Sequence, residues 1–389
     1  MSLSPGKVLI AAIEFWDAPC QVGSHQIARQ FLRAGWEVAF ISAPLTPFHL
    51  LKIKDPVTLQ RFSSYRSGGK TECEGKLWHY TPFSLIAPDL RPIFNSKTFT
   101  ENWHKLSYPN LPEMIKKAGF GDVDLLYFDS IYQPFWLDNI SSKKSLLRIH
   151  DATSAFSGFS KGLKQVEERI AQSVDSVVYT AKTLEKYVKD LNPKNIFYMP
   201  NGVNCEFFTN GSRNIPQEYK DIAVPIAVYV GSLGEWFDFE LFNSVAQSLP
   251  DVSFVLIGPD AMAREKVRPL PNVHILGPKK YQELPQYLHN AKVGIIPFDV
   301  LNHAELIGSV NPLKLYEYMA CGLPVVSMNW EELRLINSPA ILCNTTSEFS
   351  SAVKKSIEEE TNKSFYIEYA KKHDWEKSFN NLLKFIGKS

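Results

Sequence analysis

The chain has 389 residues, enough for two domains with a core each, and its 44% hydrophobic and 21% charged residues are the balance of an ordinary globular protein. A net charge of +1 leaves no global field to attract nucleic acid, so any contact with a polyanion or a membrane has to be local. Five scattered cysteines (Cys20, Cys73, Cys205, Cys321, Cys343) with no C-x-x-C argue against a disulfide framework or zinc site and point to a reducing cytoplasm. No apolar run reaches membrane-spanning length, and Glu14 and Asp17 follow residues 8–13 too soon for a signal peptide.

Residues 7–13 read as a buried strand, 14–23 as a loop, then a helix that Ser24 can cap and Gly35 ends, and 36–42 as a second strand. Strand, loop, helix, strand opens a doubly wound parallel sheet. Gly23, Ser24 and His25 then fall at the first loop, where such sheets meet ligands or an acceptor. His25 is equally well a surface residue of the helix's first turn. Residues 47–66 mix Phe48, Leu50, Leu51, Ile53, Leu59 and Phe62 with Lys52, Lys54, Arg61 and Arg66. Such a segment could lie on an anionic membrane; a packed helix with its basic residues outward is the favoured reading. Residues 67–70 form a turn, 77–82 a strand, and 88–117 a Pro-rich stretch that becomes helical. The strand at 124–129 ends in Asp129, at the edge where these sheets bind ligands. Asp122 and Asp124 read as surface charge. The strand at 145–150 ends in His150, with Asp151 next. Asp151 is either a general base or a turn cap, and His150 is the rival base. A strand at 175–180, a helix at 181–190 and a strand at 194–199 lead to Pro-Asn-Gly-Val at 200–203.

Residues 205–224 are polar and read as a linker, after which the alternation restarts: strands at 226–230, 253–257, 273–277 and 293–297, helices at 238–249 and 283–290. Gly231, Ser232 and Gly234 form a strand-to-helix turn whose backbone can approach a phosphate closely. Trp236 and Phe237 read as packing. The most informative stretch is 309–327. Asn311 suits an N-cap and Pro312 the first helical position, Gly322 suits the left-handed stop, and Pro324 precedes a buried strand. Lys314 in the first turn is badly placed for the helix dipole unless both face an anion. Glu317 lies one turn on, and its two oxygens suit vicinal ribose hydroxyls. A local Lys314–Glu317 ion pair is the alternative, but the apolar neighbours Leu313, Leu315, Tyr316, Tyr318 and Met319 make this a largely buried helix whose charges need a purpose.

Asn-Pro-Leu-Lys-Leu-Tyr-Glu-Tyr-Met-Ala-Cys-Gly-Leu-Pro-Val-Val resembles the donor signature of the retaining glycosyltransferase family 4. That resemblance implies a GT-B fold: two Rossmann-like α/β domains facing a cleft, with a C-terminal helix crossing back to the first. It implies an acceptor-binding domain over 1–204 plus 373–389, and a nucleotide-sugar domain over 205–372. Glu317 then binds donor ribose and Lys314 lies near the diphosphate; the Gly231 loop faces the phosphates, and Gly277, Pro278 and Lys279 read the base through backbone atoms. Ser309 stands where the family often has a further Glu. Arg148-Ile-His-Asp151 resembles R-x-x-D of the inverting xanthan-type glucuronosyltransferases, where the Asp is the general base, while in retaining members a His in this neighbourhood touches the donor sugar.

The expectation is a hexosyltransferase moving a sugar from a UDP- or GDP-sugar to a glycan or lipid-linked acceptor in cell-surface polysaccharide or glycolipid assembly. It needs no metal or other cofactor and works in the cytoplasm, with peripheral contact to the inner membrane face through 47–66 left open. A nucleotide-sugar epimerase on the same fold and a non-catalytic nucleotide-sugar-binding subunit are the rival readings; the product, whether glycoside, epimer or neither, separates the three.

Overall fold

The computed structural model describes residues 4–52, 54–88, 94–156 and 158–388. By contacts the chain divides into a first unit of residues 1–18, 22–200 and 379–389 and a second of residues 19–21 and 201–378. Among the described residues, the first unit has strands β1 (Lys7–Ala11), β2 (Glu37–Ile41), β3 (Lys70–Glu72), β4 (Leu77–Tyr80), β5 (Asp122–Phe128), β6 (Ser141–Ile149), β7 (Ser176–Tyr179) and β8 (Ile196–Tyr198). Their order is β3-β4-β2-β1-β5-β6-β7-β8, and β3 alone runs antiparallel to its neighbour. Helices cover both faces, so the central strands are near-continuous apolar runs: Val8, Leu9, Ile10, Val38, Phe40, Leu126 and Phe128 are fully or almost fully buried.

Local chemistry corrects several expectations. The first helix is Gly23–Arg33 with Val22, not Ser24, as its N-cap. Val22 N donates to His25 Nδ1 at 3.2 Å, so a side chain one turn in reaches back to the cap and no capping serine is needed. His25 is not on the surface: it is fully buried, and its Nε2 lies 2.9 Å from the Phe15 carbonyl. The 47–66 segment forms a short 3-10 turn, Pro47–Lys52, and a helix, Pro56–Arg66, which Asp55 caps through Thr58 N at 2.8 Å. Its basic residues do not all face outward. Arg61 turns in and donates to the carbonyls of Ala43 and Pro44 at 2.9 and 3.2 Å. Ile53 and residues 89–93, which the sequence assigned to this segment and to the Pro-rich stretch, lie outside the described residues.

The expected linker at 205–224 is folded instead. It holds a helix, Cys205–Thr209, and a 3-10 turn, Gln217–Asp221, and Cys205, Phe208 and Tyr219 are buried in the second core. Those apolar anchors every few residues outweigh the polar composition. The second unit has β9 (Ile226–Val230), β10 (Ser253–Ile257), β11 (Val273–Gly277), β12 (Val293–Ile296), β13 (Val325–Met328) and β14 (Ile341–Cys343). All are parallel in the order β11-β10-β9-β12-β13-β14. The final helix, Trp375–Ile386, starts in the second unit and ends in the first. There Phe379 meets Phe31 edge-on at 4.8 Å and Phe385 stacks on Phe197 at 4.6 Å. Among the described residues no helix is long and apolar enough to cross a membrane.

The Leu313–Ala320 helix is seated on the second sheet by Tyr318. A Cβ on Gly294 of β12 would come within 2.2 Å of the Tyr318 ring, so only glycine lets the helix lie this close. Gly294→Ala is therefore expected to destabilise the second unit by about 1–3 kcal/mol, as overpacking of a tight core does. Urea unfolding followed through the second unit's tryptophans checks it; an unchanged midpoint would show that the helix can lift off freely.

Candidate active site

The second unit's candidate site forms where β9 runs into the Gly231 loop beside the Leu313–Ala320 helix. Pro312 is the N-cap of that helix, not its first residue, and no side chain caps it. Asn311 does not cap either: its Oδ1 accepts from Tyr316 Oη at 3.0 Å and its carbonyl accepts from Asn201 Nδ2 at 2.7 Å. The Asn-Gly turn is thus tied to the helix start; the N–H of Leu315 donates to the Pro312 carbonyl at 3.2 Å, and those of Leu313 and Lys314 keep their capacity for an acceptor from outside. Gly322 is left-handed at φ +78° and ends the helix as its position required.

Lys314 points from this helix between two rings, 4.8 Å from the centroid of Phe298 and 5.3 Å from that of Tyr229. Gly231 lies against it; a Cβ there would be 3.2 Å from Lys314 Cε and 3.4 Å from Nζ. Gly258 in turn must be glycine, because its Cβ would strike the Gly231 carbonyl at 1.9 Å. Tyr318 Oη accepts from Val230 N at 2.7 Å and Tyr229 Oη donates to the Ser232 carbonyl at 2.8 Å, so two tyrosines hold the loop in place. Among the described residues no direct ion pair joins Lys314 to Glu317. Both are half-buried by area, yet desolvation dominates both: it pulls the Lys314 ammonium down to about 8 against the attraction of Glu317, and pushes the Glu317 carboxyl up to about 7 against that of Lys314. A lysine ammonium beside a glycine turn, with uncapped helix N–H groups next to it, is an arrangement able to receive phosphate oxygens, and a carboxylate lies one turn deeper.

Other residues singled out from the sequence sit nearby in the fold but are engaged. Gly277, left-handed at φ +69°, receives the Gly258 N–H on its carbonyl at 3.0 Å. Lys279 pairs with Glu218 and lies over the Tyr287 ring, so its side chain is used structurally. Gly234 packs against Trp236, and Ser309 is buried with its Oγ 3.3 Å from the Leu306 carbonyl.

In the first unit Asp129, Arg148, His150 and Asp151 line one pocket of about 210 Å³ at the carboxyl edge of β5 and β6. Arg148 and Asp129 form a buried ion pair at 3.0 Å. Burial pulls the Arg148 guanidinium down, but Asp129, together with Tyr127 and Asp151, more than offsets it, so the cation is held. Gly23 closes over this pair; a Cβ there would be 2.5 Å from Arg148 Nη2. His150 Nε2 and Asp151 Oδ2 lie 3.6 Å apart, both partly open to solvent. Ser24 is buried in its helix.

The sequence reading missed Phe156, Phe159, Thr153 and Glu167, which complete the pocket wall. Glu167 accepts from Thr153 Oγ1 at 2.8 Å and from Tyr187 Oη, and burial raises its carboxyl above the ordinary range. Its signal was present: it follows Val166 on the buried stripe of Leu163, Val166 and Ile170, where a carboxylate needs partners.

Two parallel α/β units, one with a lysine and carboxylate beside a glycine turn and the other with a carboxylate-edged pocket, are the parts of a GT-B glycosyltransferase, and the chain is one. Its residues 10–180 match the model for the N-terminal domain of the glucuronosyltransferase GumK, and residues 224–359 match glycosyl transferases group 1. A candidate teichuronic acid biosynthesis glycosyltransferase of Bacillus subtilis (strain 168), TuaH, is 28% identical over 319 residues, 73% of this chain and 77% of that protein. Sucrose-phosphate synthase from Thermosynechococcus elongatus shares the fold at TM-score 0.71 and 16% identity, over 98% of both chains. HepE of Anabaena, solved with UDP-glucose, does so at TM-score 0.66 and 13% identity, also over 98% of both.

The desolvated pair has a thermodynamic signature. A carboxyl raised in the fold stabilises it fully below pH 4.5 and loses that contribution as pH rises towards about 7; a lysine lowered in the fold does so above 10.5 and loses it as pH falls towards about 8. Between 7 and 8 both penalties are present. The double variant Lys314→Met/Glu317→Gln is expected to melt higher than wild type at pH 7.5, by about 1 kcal/mol or more, with the gain vanishing below pH 4.5 for the carboxyl part. Calorimetric melting across pH reads it; a lower melting point at pH 7.5 would mean the two charges support the empty fold.

Proposed function

We propose that the second unit binds a nucleoside diphosphate sugar, UDP- before GDP-linked, and the first unit a glycan or lipid-linked acceptor in cell-surface polysaccharide or glycolipid assembly. The observation that carries this reading is Lys314. An ammonium kept charged among Phe298 and Tyr229, against a glycine backbone, is costly to hold without an anion, and a diphosphate supplies one. Glu317 then accepts the two ribose hydroxyls. Developing charge on the leaving diphosphate falls on Lys314, the Ser232 N–H and the Leu313 and Lys314 N–H groups at the helix start, with no metal required for neutralisation. Asp151 takes the proton of the acceptor hydroxyl as it attacks the anomeric carbon, and His150 beside it tunes or shares that role. UDP is favoured because HepE, of the same fold, was solved with UDP-glucose, and the polysaccharide setting because TuaH is ascribed to teichuronic acid synthesis. The 47–66 segment, with Phe48, Leu50, Leu51 and Leu59 exposed, is proposed as the contact to the acceptor's membrane.

Titration calorimetry with UDP-, GDP- and dTDP-sugars is expected to find one nucleotide class that binds, weakened by about 1–3 kcal/mol in Lys314→Ala and in Glu317→Ala, as loss of a charged hydrogen bond predicts. Affinity should fall as pH rises through the Lys314 value of about 8 and stay flatter in Lys314→Arg. Silent substitutions would remove the donor site from this helix. Asp151→Asn should keep donor binding while sugar transfer drops about 10²–10⁴-fold; retained transfer would pass the role to His150. Sedimentation with anionic vesicles tests the membrane contact, which Leu51→Asp should weaken.

A further inference from the structure

We propose that Asp17, Glu72 and His79 form a binding site for a first-row divalent metal ion, Zn²⁺ foremost, at the β3–β4 side of the first sheet. The three residues come from three segments: the loop after β1, the antiparallel edge strand β3, and β4. Their ligand atoms all lie within 4.8 Å of one another. Metal bonds of about 2.0–2.2 Å to nitrogen and oxygen put neighbouring ligands of a tetrahedral ion roughly 3.3–3.5 Å apart. His79 Nε2 and Glu72 Oε1 stand at 3.4 Å, which is that edge length and long for a hydrogen bond. Asp17, half-exposed in its loop, needs to close by about an ångström to complete the face.

The set is built as ligands are. His79 is 2% exposed, its backbone is fixed by pairing with Phe40 of β2 on one side and Lys70 of β3 on the other, and its ring lies 6.3 Å from that of Trp16. Trp16 Nε1 donates to Glu72 Oε2 at 3.3 Å, orienting the carboxylate so that Oε1 faces the histidine. A cation already answers the carboxylates: Lys70 Nζ lies 3.7 Å from Asp17 Oδ2. Lys70 is partly exposed and can swing out, so it acts as a competitor that a divalent ion, with its greater charge, displaces. One imidazole and two carboxylates suit Zn²⁺, Co²⁺ or Mn²⁺ and leave coordination positions for water. The bound ion would fasten the loop after β1 to the β3–β4 hairpin. No spacing rule reveals such a site, since Asp17, Glu72 and His79 share no short motif.

Zn²⁺ calorimetry and Co²⁺ absorption on the full chain test it. One ion per chain is expected, weakened at least about tenfold in His79→Gln, in Glu72→Gln and in the milder Asp17→Asn. Lys70→Met should tighten binding, a result that no misfolded variant would give. Cys73→Ser, beside Glu72, should change nothing. No bound ion, affinity indifferent to these four variants, or a thiolate–cobalt band lost in Cys73→Ser overturns the assignment. Nucleotide binding at Lys314 is measured on the same variants and is expected unchanged, which separates this site from the donor site.

Discussion

The second unit depends on one unfavourable arrangement: an ammonium and a carboxylate, one helical turn apart, half-buried and largely desolvated without touching each other. Desolvation moves both towards neutrality, so the fold keeps Lys314 and Glu317 charged near neutral pH only narrowly. Such a pair persists where the surroundings over-determine it. Phe298 and Tyr229 offer the ammonium their ring faces, a partial substitute for water. On the proposed reading an anionic ligand recovers the remaining deficit on binding, which is why desolvated charge outside an ion pair reads as a site when the same residues in an ion pair would read as scaffold.

Glycine and tyrosine do the positioning. Gly294 lets Tyr318 sink onto the sheet, Tyr318 reaches the end of β9, and Gly258 lets the next turn pass against the Gly231 carbonyl. Each contact is sterically closed to any side chain, so the helix, the strand end and the glycine turn have one relative placement. A phosphate site made of backbone N–H groups needs this rigidity, because a displacement of about an ångström turns good hydrogen bonds into poor ones.

The parts of the fold that periodicity governs were legible. Apolar runs such as 226–230 and 253–257 coincide with β9 and β10, since a strand buried on both faces has little freedom in composition. The turn glycines and the Lys314–Glu317 pair were legible because each violates a local preference, a cation at a positive helix end above all. What stayed hidden depends on tertiary partners. Ser24 looked like a cap, but His25 supplies the reciprocal bond from inside the core. Residues 205–224 looked like a linker because four buried anchors, Cys205, Phe208, Tyr219 and Ile222, are few among many polar neighbours. Lys279 was expected to act through its backbone, and the side-chain pair it makes with Glu218, some sixty residues earlier, has no local sign. Pairings across such distances leave no trace in local pattern.

The two units also divide the electrostatics. In the first, the buried cation is already answered: Arg148 and Asp129 neutralise each other at 3.0 Å beneath an otherwise mainly apolar pocket wall. A closed pair of that kind offers little to an incoming anion but leaves a rigid floor and a carboxylate, Asp151, at the rim. In the second, Lys314 has aromatic faces and glycine backbone around it and a carboxylate it does not touch. On the proposed reading, a reaction that joins a hydroxyl to a sugar as the diphosphate departs from its anomeric carbon needs this asymmetry: the side that accepts a proton must not also attract the leaving anion, and the side that holds the anion must not have answered its own charge beforehand.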